Sequence, residues 1–327
     1  MTSEHSDKIL RVSSLIEKFD IPVFERHKEV YARHGVRPSM AAIIATDDPG
    51  SLSYIRGIHN FAKSWGIEFK DYQVSSKDEI VETIERLNSD DSVHGIMVMY
   101  PTGSEVKDTF FMNLVDLNKD MEGLHFSHLG LLVQFEKFRD AQRLRKWVMP
   151  PTAKGILYIL KRYFDIYEEY ASVYGAYPDG SEVNPFSIEG KRFTIINDSL
   201  AVGRSLALML LNENGSVQVC HKYTPYSDVL KCVRSSDVII SAVPSENFII
   251  PTDIVPSSAL VFDISFEGNF EYPGIIDRAA RIAPKWDLVS KGDRINDMTL
   301  FRLVSNLFYL INSTLDDHIL QELQIQI

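Results

Sequence analysis

A chain of 327 residues, 45% of them hydrophobic, is long enough to bury a sizeable core and to divide into two domains. Asp and Glu outnumber Lys and Arg by 45 to 34, and no basic block rises above that acidic background, which excludes a nucleic-acid or anionic-membrane surface as the expected partner and favours small-molecule chemistry. Cys220 and Cys232 form neither a disulfide framework nor a zinc spacing, the start MTSEHSDKIL lacks an apolar signal core, and no apolar run reaches transmembrane length, so the expectation is a cytoplasmic protein with no membrane contact and no metal.

In chain order, ILRVSSLIEKF and FERHKEVYARHG have helical patterns, MAAIIATD reads as a strand, and YIRGIHNFAKSWGI reads as a helix ended by Gly66. EIVETIERLN is a further helix and HGIMVMY a buried strand. This βαβ rhythm predicts an α/β domain with a parallel sheet covered by helices. The loop YPTGSEVKD leaves the carboxyl end of a strand, where open α/β sheets hold their ligands. Polar and aromatic residues from Asp165 to Glu189 then interrupt the pattern as a surface excursion. RFTIIN, SVQVCH, DVIISAV and LVFDISF follow as four strands of a small doubly wound, Rossmann-like unit. The apolar MTLFRLVSNLFYLINSTL predicts a last helix that packs back across the first domain.

Within RFTIINDSLAVGRSLALMLL a strand leads through a sharp turn into a helix, as in a dinucleotide-binding unit, yet Asn197, Asp198 and Ser199 stand where glycines are usual. The helix start still offers unpaired N–H groups and a partial positive charge to a pyrophosphate. Asparagine is among the residues best able to take a positive backbone angle in place of glycine, so the turn retains the means to cradle phosphate.

Four stretches in the same order, SLSYIRGIHNFAKSWGI, GIMVMYP with LNKDMEGLH, PPTAKGI, and SLAVGRSLALMLL with VQVCH, resemble the methylenetetrahydrofolate dehydrogenase/cyclohydrolase family, on the side of its monofunctional NAD-dependent members. GDRINDMT stands where that family has Pro-Gly-Gly-Val-Gly-Pro-Met-Thr, keeping Met298 and Thr299. The resemblance implies two α/β domains with a cleft between them, residues 1–158 plus 298–327 binding a reduced folate and residues 159–297 binding NAD, in a homodimer. It implies that Tyr54 stacks on the folate as part of a catalytic set with Glu122, that Glu122 grips the pterin where the family has aspartate, and that Asp120 and Met298 complete the substrate site. It further assigns the cofactor to Thr152, Asn197, Asp198, Ser199, Val202, Gly203, His221, Ala242 and Val243. Plainer alternatives stand beside these: Tyr54 as a half-buried core tyrosine, Asp120 and Glu122 as a solvated loop, Thr152 in a domain-joining turn and His221 as a loop histidine.

The family has an arginine at the Asp198 position that pairs with the extra phosphate of NADP. An aspartate there repels that phosphate, at about 1–4 kcal/mol for charges roughly 4 Å apart, which favours NAD. Lys222, after His221, stands near where an acid for the adenosine ribose is usual. The family lysine one helical turn after its tyrosine is Ile58 here, a second lysine is Asn60, and the glutamine that bonds the first is Met99. Lys63 lies nine residues beyond Tyr54, about 13 Å along a helix and off its face. The expected activity is hydride transfer from methylenetetrahydrofolate to NAD without cyclohydrolase activity. A bifunctional enzyme and a non-catalytic folate- or nucleotide-binding protein are the alternatives.

Overall fold

The computed structural model describes residues 8–174 and 188–324. The chain divides into two compact α/β units, Glu17–Pro151 with Leu300–Ile327, and Met1–Ile16 with Thr152–Thr299.

The first unit is built on a parallel sheet of order β2-β1-β3, from β1 (Ser39–Ile44), β2 (Glu68–Gln73) and β3 (Gly95–Met99). Every residue of the central β1 is buried, as is every residue of β3, matching their unbroken apolar runs. β2, EFKDYQ, was not expected from the sequence. It is an edge strand, partly exposed and charged, defined by its register on β1 with Met40 opposite Phe69. One face of the sheet packs Ile80, Ile84 and Leu87 of α4 (Lys77–Asn88) against Ala41, Ile43, Ile96 and Val98. Elsewhere in the unit the Phe24 ring of α2 (Ile21–Arg33) lies 4.8–6.2 Å from Phe61 and Trp65 of the α3 region (Pro49–Ser64) and from Phe301 and Phe308. The buried pair Asp20–Arg302 ties the chain entering α2 to the last long helix.

The second unit is a five-stranded parallel sheet of order β5-β4-β6-β7-β8. β4 (Arg192–Ile196), β5 (Ser216–Cys220), β6 (Val238–Ser241) and β7 (Leu260–Asp263) fall in the four predicted segments, whereas the three-residue β8 (Arg281–Ala283) was not foreseen. From β4 the connection goes first to one side, β5, and then to the other, β6, so the topological switch point lies between β4 and β6. The N-terminal residues join this unit, because Leu10 N–H donates to the Ile282 carbonyl and Ile282 N–H to that of Lys8, both at 2.9 Å. That differs from the sequence-based boundaries, which left residues 1–16 in the other domain. A helix from Pro151 to Tyr174 takes in the first ten positions of the Asp165–Glu189 excursion, and residues 175–187 lie outside the described residues. Among the described residues, no helix is long and apolar enough to cross a membrane.

Candidate active site

In the first unit, three segments converge just beyond the carboxyl end of β3. Asp48 caps α3 by accepting the Ser51 N–H at 2.7 Å, and the Ser51 hydroxyl donates to the Tyr100 carbonyl at 3.1 Å. This clamp sets Tyr54, one turn along α3, beside Tyr100, the residue after β3. The third segment is the loop holding Glu122. Asn306 Nδ2 donates to the Met121 carbonyl at 2.9 Å and to that of Met149 at 2.7 Å. Gly123 has φ of 66° and lies so close to Met149 that a Cβ would meet the backbone at 2.8 Å, so no other residue fits there without displacement.

The electrostatics follow from this convergence. Burial, with the Asp120 charge adding to it, pushes the Glu122 carboxyl up to about 8. Burial and then Glu122 raise the Tyr54 phenol, while the Tyr100 phenol is raised by burial and by Glu122, Tyr54 and Asp108. The three residues therefore lie within one another's electrostatic reach. Glu122, Tyr54 and Tyr100 are half-buried, and among the described residues neither the carboxyl nor either phenol makes a hydrogen bond. The cluster offers a half-buried carboxyl for N–H donors, two hydroxyls and two aromatic faces.

Asp120, expected among the groups touching substrate, makes its bonds within the loop. It is buried, and its carboxylate accepts the Gly123 N–H and the His125 N–H, both at 2.9 Å, and sits 2.8 Å from His128 Nδ1. With these bonds made, it shapes the loop that presents Glu122. Ile58 is 1% exposed and Met99 5%, so the two positions where the family carries its lysine and glutamine are apolar core here.

In the second unit, the turn after β4 lies at the switch point. Asn197 Oδ1 accepts from the Ser199 N–H at 2.9 Å, the Ser199 hydroxyl at 2.8 Å and the Gly203 N–H at 3.1 Å. Its Nδ2 donates to the Ala242 carbonyl just beyond β6, at 2.9 Å. Asn197 does not take a positive φ, contrary to expectation; among the described non-glycine residues only Phe135, Arg143 and Asn214 do. Its carboxamide substitutes for glycine differently, by cross-linking the turn and two strand ends. Ser199 caps the following helix by accepting the Val202 N–H at 3.2 Å. Leu200 and Ala201, which open that helix, have N–H groups with no acceptor inside it. A Cβ on Gly203 would lie 1.8 Å from the Asn197 carbonyl oxygen. That approach brings helix and turn together where a dinucleotide backbone needs room, and the site fits such a ligand.

The remaining assigned residues are dispersed. Ala242 and Val243 line the switch point, where Asn269 accepts the Val243 N–H at 2.9 Å and the Ser241 hydroxyl at 2.7 Å. His221, exposed after β5, is held by its N–H to Thr224 at 3.1 Å. Thr152 is half-buried in the first turn of the helix beginning at Pro151. Met298, expected in the substrate site, is fully buried in the helix Ile295–Asn312. Asp198 is 3.5 Å from Arg204, a surface pair that shields part of its charge.

The tetrahydrofolate dehydrogenase/cyclohydrolase catalytic domain matches residues 12–122, and the NAD(P)-binding domain of the same family matches residues 182–312. The chain belongs to the tetrahydrofolate dehydrogenase/cyclohydrolase family. The methylenetetrahydrofolate dehydrogenase (NAD(+)) of Saccharomyces cerevisiae is 27% identical over 324 residues, covering 91% of this chain and 96% of that protein. The bifunctional protein FolD of Thermotoga petrophila is 32% identical over 268 residues, 80% of this chain and 86% of that one. Among solved structures, the NAD-dependent 5,10-methylenetetrahydrofolate dehydrogenase of S. cerevisiae aligns with a TM-score of 0.74 at 24% identity, over 92% of this chain and 96% of that one. A 5,10-methylenetetrahydrofolate dehydrogenase from the silkworm Bombyx mori aligns at 0.72 and 24% identity, over 94% and 98%. At that identity the likeness carries the fold.

Within this family frame, three residues at the two sites went unread in the sequence. Tyr100 reads in the sequence as the end of HGIMVMY, and its position in the MYP exit is the available signal. Arg204 lies six residues after Asp198, a spacing that turns into proximity only once the turn folds. Asn269 carried no signal, being a lone asparagine far along the chain.

Proposed function

We propose that the chain oxidises 5,10-methylenetetrahydrofolate to 5,10-methenyltetrahydrofolate with NAD as acceptor, and that it lacks cyclohydrolase activity. The observation that carries this reading is the chemistry one turn beyond Tyr54. There the buried Ile58 and Met99 offer no group able to move a proton or stabilise a developing charge. Oxidation needs no such group. The folate nitrogens expel a hydride from the bridging carbon, and the positive charge left behind is shared between them. Bound NAD would supply the acceptor for that hydride and its electron pair.

The protein's part is alignment. Glu122 would accept N–H bonds from the pterin, and the Tyr54 and Tyr100 faces would flank the substrate rings. The Leu200 and Ala201 N–H groups would receive the pyrophosphate. Asp198 supports NAD over NADP by at least roughly tenfold in kcat/KM, since about 1.4 kcal/mol of differential repulsion is sufficient. The reading also carries a homodimer and a cytoplasmic location, to be checked by sedimentation and by imaging the tagged full chain.

The test is paired. Reduced-nicotinamide absorbance should rise with methylenetetrahydrofolate and NAD, and purified protein should leave methenyltetrahydrofolate at its spontaneous rate of decay. Faster decay, lost on replacing Tyr54, would establish the bifunctional reading instead. Binding of both ligands with no absorbance change would establish a non-catalytic binder. Ile58→Lys alone should restore little hydrolysis, because Met99 leaves the new ammonium without a partner.

A further inference from the structure

The first unit holds a cavity of about 480 Å³ that the proposed chemistry does not use, within the size range of small-molecule sites. Its lining runs through Val36–Pro38, which lead into β1, and through Ile67 and Glu68, which lead into β2. It therefore opens at the amino ends of the parallel strands, whereas Tyr54, Tyr100 and Glu122 gather at the carboxyl end of β3. Helix α3 reaches both places: Tyr54 stands near its start and Trp65 caps its end, eleven residues on, about 16 Å apart along the axis.

The lining combines two features. Trp65, half-buried, presents the aromatic surface, with the buried Phe24, Tyr31 and Phe308 behind it. Phe24 makes edge contacts with Trp65 at 5.0 Å and with Phe308 at 4.9 Å, so the Trp65 ring is braced from behind. Against it stand two cations, Lys28 and Arg37, and neither has an ion pair or hydrogen bond among the described residues. Glu68, the carboxylate in the lining, is already matched by Lys70 at 3.2 Å. Two cations without a protein partner among the described residues thus stand beside Trp65 on a chain of net charge −11. A flat ring would stack on or edge against Trp65, and a carboxylate on it would meet the planar fork of Arg37 and the ammonium of Lys28.

We infer that this cavity is a second ligand site, separate from the folate and dinucleotide sites, that takes a small planar aromatic carboxylate. The full chain carries three tryptophans, Trp65, Trp147 and Trp286, so isotope-labelled protein gives one indole N–H resonance from each, and Trp65→Phe identifies the first. The probe is 2-naphthoate, with the neutral 2-naphthamide and the ringless acetate as controls. Naphthoate should shift the Trp65 resonance saturably, leave the other two in place, and do so with folate substrate present. Naphthamide and acetate should bind at least about tenfold more weakly. Lys28→Gln and Arg37→Gln, both at exposed positions, should each weaken naphthoate about tenfold while leaving naphthamide unchanged. An unmoved Trp65 resonance at millimolar naphthoate overturns the inference. So does equal affinity for the amide, wild-type affinity in both charge variants, or displacement of naphthoate by folate.

Discussion

The Glu122 cluster and the Asn197 turn meet the demands of polar groups in opposite ways. At Asn197 both ends of the carboxamide are used within the protein, in four hydrogen bonds of 2.8–3.1 Å, and what remains for a ligand is backbone N–H. At Glu122 the carboxyl and the two neighbouring phenols have no partner among the described residues, and burial holds the carboxyl up at about 8. The first site is a finished scaffold whose specificity is geometric. Under the proposed function, the second would receive a ligand's N–H donors, which would couple binding to ionisation there. The contrast teaches that satisfied side chains make a turn rigid, whereas unsatisfied ones leave hydrogen-bonding capacity for a ligand.

The largest effect should come from breaking the scaffold. Gly203→Ala places a methyl where the Asn197 carbonyl already lies 1.8 Å from the built Cβ, and the obstacle is backbone that cannot swing aside. We expect NAD affinity to fall at least about 100-fold and stability by about 1–3 kcal/mol, with folate affinity retained, as calorimetric titration with each ligand will show. Normal NAD binding in this variant would remove the turn from the cofactor site.

Next in size is Glu122→Ala, expected to weaken folate by about 1.5–3 kcal/mol and leave NAD untouched. Its ionisation gives a separate check. The carboxyl ionises near 8 in the folded protein against an ordinary value of 4.5, so the folded state holds more protons between those limits and stability falls as pH rises through them. Glu122→Gln should therefore be more stable than the parent by roughly 2–4 kcal/mol near pH 9 and nearly equal to it near pH 4, in urea unfolding. No difference between the two pH values would mean that Glu122 is solvated like an ordinary loop acid.

A smaller effect concerns the one exposed charge pair at the turn. Asp198→Asn should raise NADP use about tenfold relative to NAD, because it removes the repulsion and releases Arg204 from a partner 3.5 Å away. Adding Arg204→Gln should cancel part of that gain in kcat/KM, and an unchanged cofactor ratio in both would leave selectivity to other residues. Asp198→Arg should narrow the preference without necessarily reversing it. The smallest effect is expected from Tyr100→Phe, which keeps the ring and loses one hydroxyl, for about 0.5–1.5 kcal/mol in folate binding.

Much of the architecture was legible because buried parallel strands announce themselves as apolar runs, as MAAII, HGIMVM and RFTII do. EFKDYQ and RIA were not legible, since an edge strand with polar residues and a three-residue strand are defined by the neighbour they pair with. The acids of KDMEG show the same limit within a motif. Two carboxylates two residues apart look alike in sequence, yet one is consumed by Gly123, His125 and His128 and the other is left unpartnered. At the turn, the replacement of glycine by Asn197 was visible, but the means was not, because a backbone angle and a side-chain cross-link to Ala242 serve the same end.

By itself the sequence determined which chemistry is available: an aliphatic residue one helical turn after Tyr54, an acid in the KDMEG loop, an aspartate at the turn, and a helix start behind it. These are properties of residue type and spacing, and no packing can give Ile58 a proton to transfer. Only the tertiary structure decided which acid faces inward, that Tyr100 joins Tyr54, that Met298 is sealed away, and that Glu122 ionises far above its ordinary range. Those outcomes depend on desolvation and on hydrogen-bond partners brought from distant parts of the chain, and no local stretch of sequence contains them.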